Sequence, residues 1–353
     1  MFIKLIAIWG ASQYNRADLT RREIMSKKEK TKTKKKKKHG FRKLLIVLLI
    51  IFLLVVTLGY YAVDKIYEQL NYEETTSLRY ESLKEDGVTN ILLIGNDSRD
   101  GVSGGRSDAM ILLSISDKTK SIHLTSLLRD MYVEIPGYKG NRLNAAYSLG
   151  GAELLLETIE ENLDIEVNRY VLVDFQAFAN LINAVGGVEL ELTNEEVKWV
   201  NAYLNEYNII NGKELTTDYL DESASGMMHL NGPQALAYSR NRSIGNDFGR
   251  TERQRKVISA AVGKIPGALV SDPKGLLGDV LPNLTTNIVP TECFSLAADA
   301  AKFLIYDIKQ GSIPMEGTYK DANIRDMAVL EVDFEANKEY IRTEIYGSMV
   351  EEE

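Results

Sequence analysis

The chain has 353 residues, with 42 Lys+Arg against 50 Asp+Glu and a formal net charge of −8. Its single cysteine, Cys293, excludes an intramolecular disulfide and a cysteine-ligated zinc site. The charge is unevenly placed: residues 1–43 hold 15 Lys+Arg against three acids (Asp18, Glu23, Glu29), leaving 27 basic and 47 acidic side chains for the rest.

In chain order, "MFIKLIAIWG" differs in texture from "MSKKEKTKTKKKKKHG", and translation from Met25 is the expectation. "LLIVLLIIFLLVVTLGYYAV", Leu44–Val63, contains no charged residue. About 20 apolar residues match the ~30 Å hydrocarbon core of a bilayer, so this stretch reads as one transmembrane helix. It is longer than the ~7–15 residue core of a signal peptide, and no small-x-small cleavage site follows. The lysines before it place the N-terminus in the cytoplasm and the acidic bulk outside. The expected organisation is a cytoplasmic basic tail (1–43), the span (44–63), a polar juxtamembrane stalk (64–87), an extracytoplasmic catalytic domain (88–347) and an acidic tail (348–353). Such a domain is large enough to bury its own core without disulfides.

From Val88 strands and helices interleave. "NILLIG" is a short buried strand, and "AMILLSIS" and "SIHLTSL" flank "DKTK" as a hairpin. "MYVEIPG" is extended. "GAELLLETIEENL" has helical spacing, with Leu155, Ile159 and Leu163 on one stripe. "RYVLVDF" is strand-like, "QAFANLINAV" helical and "GVELEL" strand-like. Further helices are expected over Arg250–Val262, Thr291–Leu304 and Phe334–Ile345. This alternation predicts a single α/β domain.

Two polar clusters carry the chemistry. "GNDSRDGVSGGRSD", Gly95–Asp108, places Asp97, Asp100 and Asp108 with Arg99 and Arg106 on a glycine-rich loop at strand ends. Carboxylates from the two edges of such a loop suit a hard cation such as Mg²⁺, and arginines suit phosphate. A solvated Asp/Gly turn is the bland alternative. The second cluster is "RNRSIGNDFGRTERQR", Arg240–Arg255. Pro233 predicts a short helix to about Tyr238. Arg240 and Arg242 then alternate on an extended segment and point to one side, and Asp247 caps the next helix. Arg250, Arg253 and Gln254 share the first turns of that helix, where the dipole favours anions. Val257 and Ala261 continue the Arg250 stripe as apolar residues. Arg255, and with it Arg253, is assigned to the surface. The bland alternative is a surface helix whose arginines pair with local acids. Arg129 and Asp130 follow a strand end, "NRLNAAYSLGG" reads as a turn into a helix, and His123 and His229 lack spaced partners for a metal or triad. The absence of G-x-S-x-G argues against a hydrolase elbow.

"NILLIGNDSR", "RSDAMILLSIS", "SLLRDMYVEIPG", "NRLNAAYSLGG", "VDFQAFANLINAVGGVEL", "HLNGPQALAYSRNR" and "DFGRTERQRKVI" occur in this order over Asn90–Ile258. Together they resemble the LytR–CpsA–Psr family of bacterial wall-polymer ligases. The resemblance implies a mixed-sheet α/β domain with helices on both faces behind one membrane anchor. It also implies a transferase that moves a polyprenyl-pyrophosphate-linked glycopolymer, teichoic acid or capsular polysaccharide, onto peptidoglycan through a phosphodiester. On this resemblance Asp97 and Asp108 match the Mg²⁺ (or Mn²⁺) carboxylates. Arg106, Arg129, Arg240, Arg242 and Arg250 hold the pyrophosphate with Gln254 beside them, and Arg99 lies in the same site; for the general base, Asp108 or Asp247 could serve, or the reaction needs no strong base. Two other functions compete: hydrolysis of the same lipid pyrophosphate, and an envelope-linked regulator. No helix-turn-helix is visible and the arginine motifs lie across the membrane from DNA, so no nucleic-acid partner is expected.

Overall fold

The computed structural model describes residues 65, 68, 70–75, 84–96, 107–271, 280–303 and 305–347. The expected basic tail, transmembrane span, most of the stalk and the acidic tail lie outside these residues, as does the loop 97–106. Among the described residues no helix is long and apolar enough to cross a membrane.

The strands are β1 (Asn71–Tyr72), β2 (Lys84–Glu85), β3 (Val88–Asn96), β4 (Ser107–Ser116), β5 (Ser121–Leu127), β6 (Tyr132–Val133), β7 (Asn141–Arg142), β8 (Tyr170–Val173), β9 (Val188–Leu192), β10 (Gly226–Leu230), β11 (Leu284–Thr286), β12 (Asp307–Ile313), β13 (Tyr319–Ile324) and β14 (Met327–Val332). Between them run α1 (Leu143–Leu163), α2 (Phe175–Ala184), α3 (Asn194–Ile210), α4 (Gly232–Arg240), α5 (Asp247–Ser271), α6 (Pro290–Phe303) and α7 (Phe334–Tyr340), the last continuing as a π-turn over Ile341–Ile345.

Eight of these strands form one mixed sheet in the order β1-β11-β8-β3-β4-β5-β12, with β2 added to β3. β3/β4 and β4/β5 are antiparallel, whereas β3/β8 and β5/β12 are parallel. The sheet is mixed as expected, and the predicted hairpin is the β4–β5 unit, its turn closed by Lys120 at φ 50. Alternation decides what each face meets. Leu92, Ile94, Met110, Leu112 and Leu127 pack with Leu155, Ile159 and Leu163 of α1 and with Ile341 and Ile345. The neighbouring residue Ser126 points the other way and meets Arg255 of α5. A second core binds α3, α4 and α5 to the β9–β10 ribbon through Val188, Val197, Val200, Leu204, Leu230, Ala235, Tyr238, Val257 and Ala261.

Local chemistry fixes the helix starts. Asp174 accepts from the Ala177 N–H at 2.7 Å to cap α2. Thr193 and Glu196 form a capping box on α3, and Asn231 and Gln234 form one on α4. α1 contains a kink at Gly150–Gly151, where Gly151 has φ 68, so the expected helix at Gly151 is only its second half. α5 starts three residues earlier and ends nine later than the predicted Arg250–Val262. α3 and the strands β12–β14 go beyond the sequence expectation. β12, "DIKQGSI", is mostly exposed and gains its pairing from the distant β5.

Candidate active site

The turn after β5 brings Arg129 and Asp130 to the sheet edge, and distant backbone groups clamp it. Leu128 N–H donates to Ile313 O at 2.9 Å, Asn144 N–H of α1 to Arg129 O at 3.3 Å, and Leu330 N–H of β14 to Asp130 O at 2.8 Å. A turn fixed from three elements holds its side chains with little freedom to lose.

Opposite stands the first turn of α5. Asn246, rather than the expected Asp247, caps it: its Oδ1 accepts from the Gly249 N–H at 3.1 Å. Asp247 is thereby free of capping duty and occupies the first helical position. Its Oδ2 accepts from Arg129 Nε at 3.1 Å, and its Oδ1 lies 3.4 Å from Arg250 Nη1. Asp130 Oδ2 accepts from Arg129 Nε at 3.4 Å and Oδ1 from Arg142 Nη1 at 3.3 Å. The two carboxyl groups thus share the Arg129 guanidinium, and each influences the ionisation of the other. Burial, and then the Asp247 contact, push Asp130 above the ordinary carboxylate range. Burial also opposes ionisation of Asp247, but Arg250 and Arg129 outweigh it and hold that carboxyl below the range. Of the two, Asp130 is thus the carboxyl that keeps its proton more readily and Asp247 the one that gives it up more readily.

Arg129, Arg142 and Arg250 face the two carboxylates directly, and Arg242 acts on Asp247 electrostatically. Among the described residues, four guanidinium groups thus gather around these two carboxylates. Arg250 is 2 % exposed, so its charge acts in a poorly screened setting.

The remaining arginines of the cluster divide. Arg253 Nη2 donates to the carbonyls of Asn241 at 2.9 Å and Ile244 at 2.7 Å, and so shapes the loop that carries the exposed Arg242. Arg255 Nη1 donates to Ser126 Oγ at 2.7 Å, and burial pulls its pKa down. The surface assignment of Arg253 and Arg255 is thus corrected: they are 6 % and 9 % exposed, because Arg253 packs on the Asn241–Ile244 loop and Arg255, on another face of the helix, packs on the sheet at Ser126. Arg240 ends α4 rather than lying on an extended arm with Arg242. It sits over the Phe175 ring at 4.5 Å and reaches Glu206 Oε2 at 3.2 Å. Gln254 is half-buried beside this region.

Asp97, Arg99 and Arg106 lie outside the described residues, and of Asp108 only the backbone, as the second residue of β4, is described. Asn96, immediately before Asp97, pairs with Ser107, immediately before Asp108, across a register shift at Gly95/Asn96. The described residues that adjoin the two aspartates in sequence thus sit together at one end of this strand pair. The Asn96 Oδ1 oxygen is buried there without a hydrogen-bond partner. An unsatisfied carbonyl oxygen next in sequence to Asp97, on a residue paired with the one before Asp108, offers donor chemistry that fits a hard, oxygen-loving cation. Among the described residues, no group of three or more His, Cys, Asp or Glu is placed to hold a metal.

Asp130 and Arg142 are the residues that motif reasoning left without a role. Arg142 ends β7 at the entrance to α1, and its partner Asp130 is 12 positions away. The motifs "SLLRDMY" and "NRLNAAY" contain both residues, but only folding makes them one cluster.

An arginine-rich, carboxylate-braced rim at the end of a mixed sheet has the side-chain chemistry that suits phosphate oxygens. The LytR_cpsA_psr family model matches residues 53–341, and the chain belongs to that family. It is 34% identical over 244 residues to the polyisoprenyl-teichoic acid–peptidoglycan teichoic acid transferase TagU of Enterococcus faecalis, covering 67% of this chain and 73% of the relative. Among solved structures it resembles Bacillus subtilis TagV, at TM-score 0.57 and 27% identity over 75% of this chain and 100% of that one. It shares the fold of TagT with bound octaprenyl pyrophosphate lipid, at TM-score 0.56 and 23% identity, covering 76% and 95% of the two chains.

Proposed function

We propose that this protein is a transferase that moves a polyprenyl-pyrophosphate-linked glycopolymer of the teichoic acid type onto peptidoglycan. The observation that carries this reading is the gathering of Arg129, Arg142, Arg242 and Arg250 around Asp130 and Asp247. A lipid pyrophosphate brings about two negative charges, which must be neutralised before a hydroxyl can attack. The arginines supply that charge in fixed positions, so little reorganisation is needed as charge moves onto the leaving group.

In the reaction, a hydroxyl oxygen of a peptidoglycan sugar attacks the phosphorus joined to the glycopolymer. The bond from that phosphorus to the bridging oxygen breaks, and polyprenyl phosphate leaves with the electron pair. The hydroxyl proton passes to the ionised carboxylate of Asp247, or to Asp108. Arg129 and Arg250, held by Asp247, aim at the phosphate oxygens, while Arg242 contributes from the loop. Asp97 and Asp108, with the Asn96 carbonyl oxygen nearby, would hold Mg²⁺ or Mn²⁺, which when bound neutralises further phosphate charge. The uncharged run Leu44–Val63 behind a lysine-rich tail supports single-pass anchoring, with the catalytic domain on the outer face of the membrane. Membership of a family of cell-envelope transferases agrees with it.

Water in place of the sugar hydroxyl would turn the same site into a pyrophosphatase. Release of polyprenyl phosphate should therefore depend on added peptidoglycan; equal release without it would favour hydrolysis. Replacing Arg242 by Ala, or Arg129 by Lys, should lower transfer about 100-fold with the thermal midpoint nearly unchanged. Retained transfer in both variants would sink the phosphate role.

A further inference from the structure

α3 ends in a tip, residues 209–216, that is exposed throughout. Ile209 is 65% exposed, Ile210 59% and Leu215 54%. The backbone of the tip is nevertheless closed. Gly212 turns the chain at φ 64, its N–H donates to Ile209 O at 3.2 Å, and Lys213 N–H donates to Asn208 O at 2.8 Å, as at many helix ends. The buried Asn208 holds the return: its Nδ2 donates to Leu215 O at 2.9 Å and to Thr217 O at 2.8 Å. Three aliphatic side chains are thus kept in water by a fixed turn rather than by a slack loop. The tip's one cation, Lys213, lies over the Tyr207 ring at 5.6 Å, and Glu214 balances it, so the tip has no net charge. An apolar cluster of this kind marks a surface that has a partner.

Strand register shows which end of the domain the tip shares. Across the sheet Asn71, where β1 begins, aligns with Thr285, Leu172 and Ile94. β1 is pinned there by Asn71 Nδ2, which donates to Pro282 O at 2.9 Å, and by Glu73 N–H, which donates to Thr286 O at 3.0 Å. The chain that comes from the apolar run Leu44–Val63 therefore enters the sheet at the end where β3 stops before Asp97 and β8 leads into α2. β5 delivers Arg129 to that same end. α3 reaches it as well: Arg240 sits over the ring of Phe175, the first residue of α2, at 4.5 Å, and its Nη2 lies 3.2 Å from Glu206 Oε2. Ile209 and Ile210 follow Glu206 within about 6 Å of helix. Seven residues separate Val63 from Asn71, at most about 25 Å of extended chain.

We propose that the Ile209–Ile210–Leu215 tip dips into the outer leaflet of the bilayer and seats the arginine rim at headgroup level; the assignment deepens the transfer reading and rests on it and on the anchor. The tether selects the occupant, because so short a connection keeps this end of the domain within reach of the membrane surface at all times. The chemistry of the tip agrees. Aliphatic side chains without net charge suit acyl chains, which offer no polar partner, and the backbone groups of the turn are already paired. Tyr203, two turns before the tip, accepts from the Arg242 backbone N–H at 3.2 Å, so the tip and the arginine loop are parts of one scaffold. A donor whose lipid tail stays in the leaflet would present its pyrophosphate to Arg129, Arg242 and Arg250 without leaving the membrane.

The test reconstitutes the full chain, with Cys293→Ser, in phosphatidylcholine vesicles. One new cysteine carries an environment-sensitive fluorophore, at Ile210→Cys or, as control, at Met227→Cys. Met227 is 69% exposed and pairs with Glu191 near the start of α3, a helix length of about 25 Å from the tip. The label at position 210 should be quenched by spin labels on the acyl chains and shielded from aqueous iodide, and the label at position 227 should show the opposite. Adding anionic phosphatidylglycerol or salt should change neither. In transfer assays Ile209→Asp combined with Ile210→Asp should raise the KM of a long-chain donor in vesicles about tenfold. The kcat, and the KM of a water-soluble donor with a short prenyl chain, should stay unchanged. A label at position 210 as open to iodide as the control, or immersion that appears only with anionic lipid, would overturn the proposal. Shielding that persists in detergent and grows with protein concentration would mean a second copy and would overturn it too. Immersion in a protein that transfers neither donor would keep the docking surface and fail the transfer reading. Transfer by a protein whose tip stays in water would do the reverse.

Discussion

His123 offers a stability test of the sheet behind the site. It lies on β5 between Ser114 of β4 and Lys309 of β12, is 1 % exposed, and shares a 2.8 Å hydrogen bond between Nε2 and Ser121 Oγ. Burial, then the charge of Lys309, lower its pKa to about 4, and Glu344 opposes them. The unfolded chain titrates near the ordinary value of 6.5. A depressed folded value means that the contribution is intact above about pH 6.5 and is lost as pH falls toward 4. At 1.36 kcal/mol per unit, the full loss is about 3 kcal/mol, of which about 2 kcal/mol falls between pH 7 and pH 5. Urea unfolding followed by Trp199 fluorescence, for the wild type and for His123→Gln at both pH values, isolates this amount, because the carboxylates titrate alike in both proteins. Glutamine keeps a partner for Ser121 and cannot take up the proton. The wild type should lose about 2 kcal/mol more than the variant on going to pH 5. Parallel losses, within about 0.5 kcal/mol, would refute a buried, neutral imidazole.

Two further substitutions test the packing around the site. Arg255→Ala should cost about 2–3 kcal/mol in denaturant unfolding, since it removes a buried side chain and its bond to Ser126, whereas a surface arginine would cost within about 0.5 kcal/mol. Gly232→Ala should cost about 3 kcal/mol or more, read as a lowered melting temperature or loss of soluble protein. A methyl group there would run into the Ala179 carbonyl where α4 crosses α2.

The parts legible in sequence were those whose signal is local. The β4–β5 hairpin, the buried β3 and the amphipathic second half of α1 follow from runs and spacings. α3 also carries a local start signal, the Thr193/Glu196 capping box, but its core face includes Asn201 and Asn208, which blur the apolar stripe. Those asparagines are buried because they bond backbone carbonyls, Asn201 to Leu220 and Asn208 to Leu215 and Thr217. β12 was hidden for the same kind of reason, its strand state coming from a partner more than 180 residues away. In the site, Arg129, Arg242 and Arg250 were visible as motif arginines. The Asp130–Asp247 contact was not, because it joins a strand-end turn to a helix start 117 positions later.

The clamp on the Arg129–Asp130 turn has a consequence for biogenesis. Two of its three backbone ties come from Ile313 and Leu330, near the end of the chain. Synthesis proceeds from the N-terminus, so the strands and helices that carry every arginine of the rim emerge before the residues that lock the turn. Contacts of such long sequence separation form late. The nascent protein therefore has no finished anion site until Ile313 and Leu330 have been made.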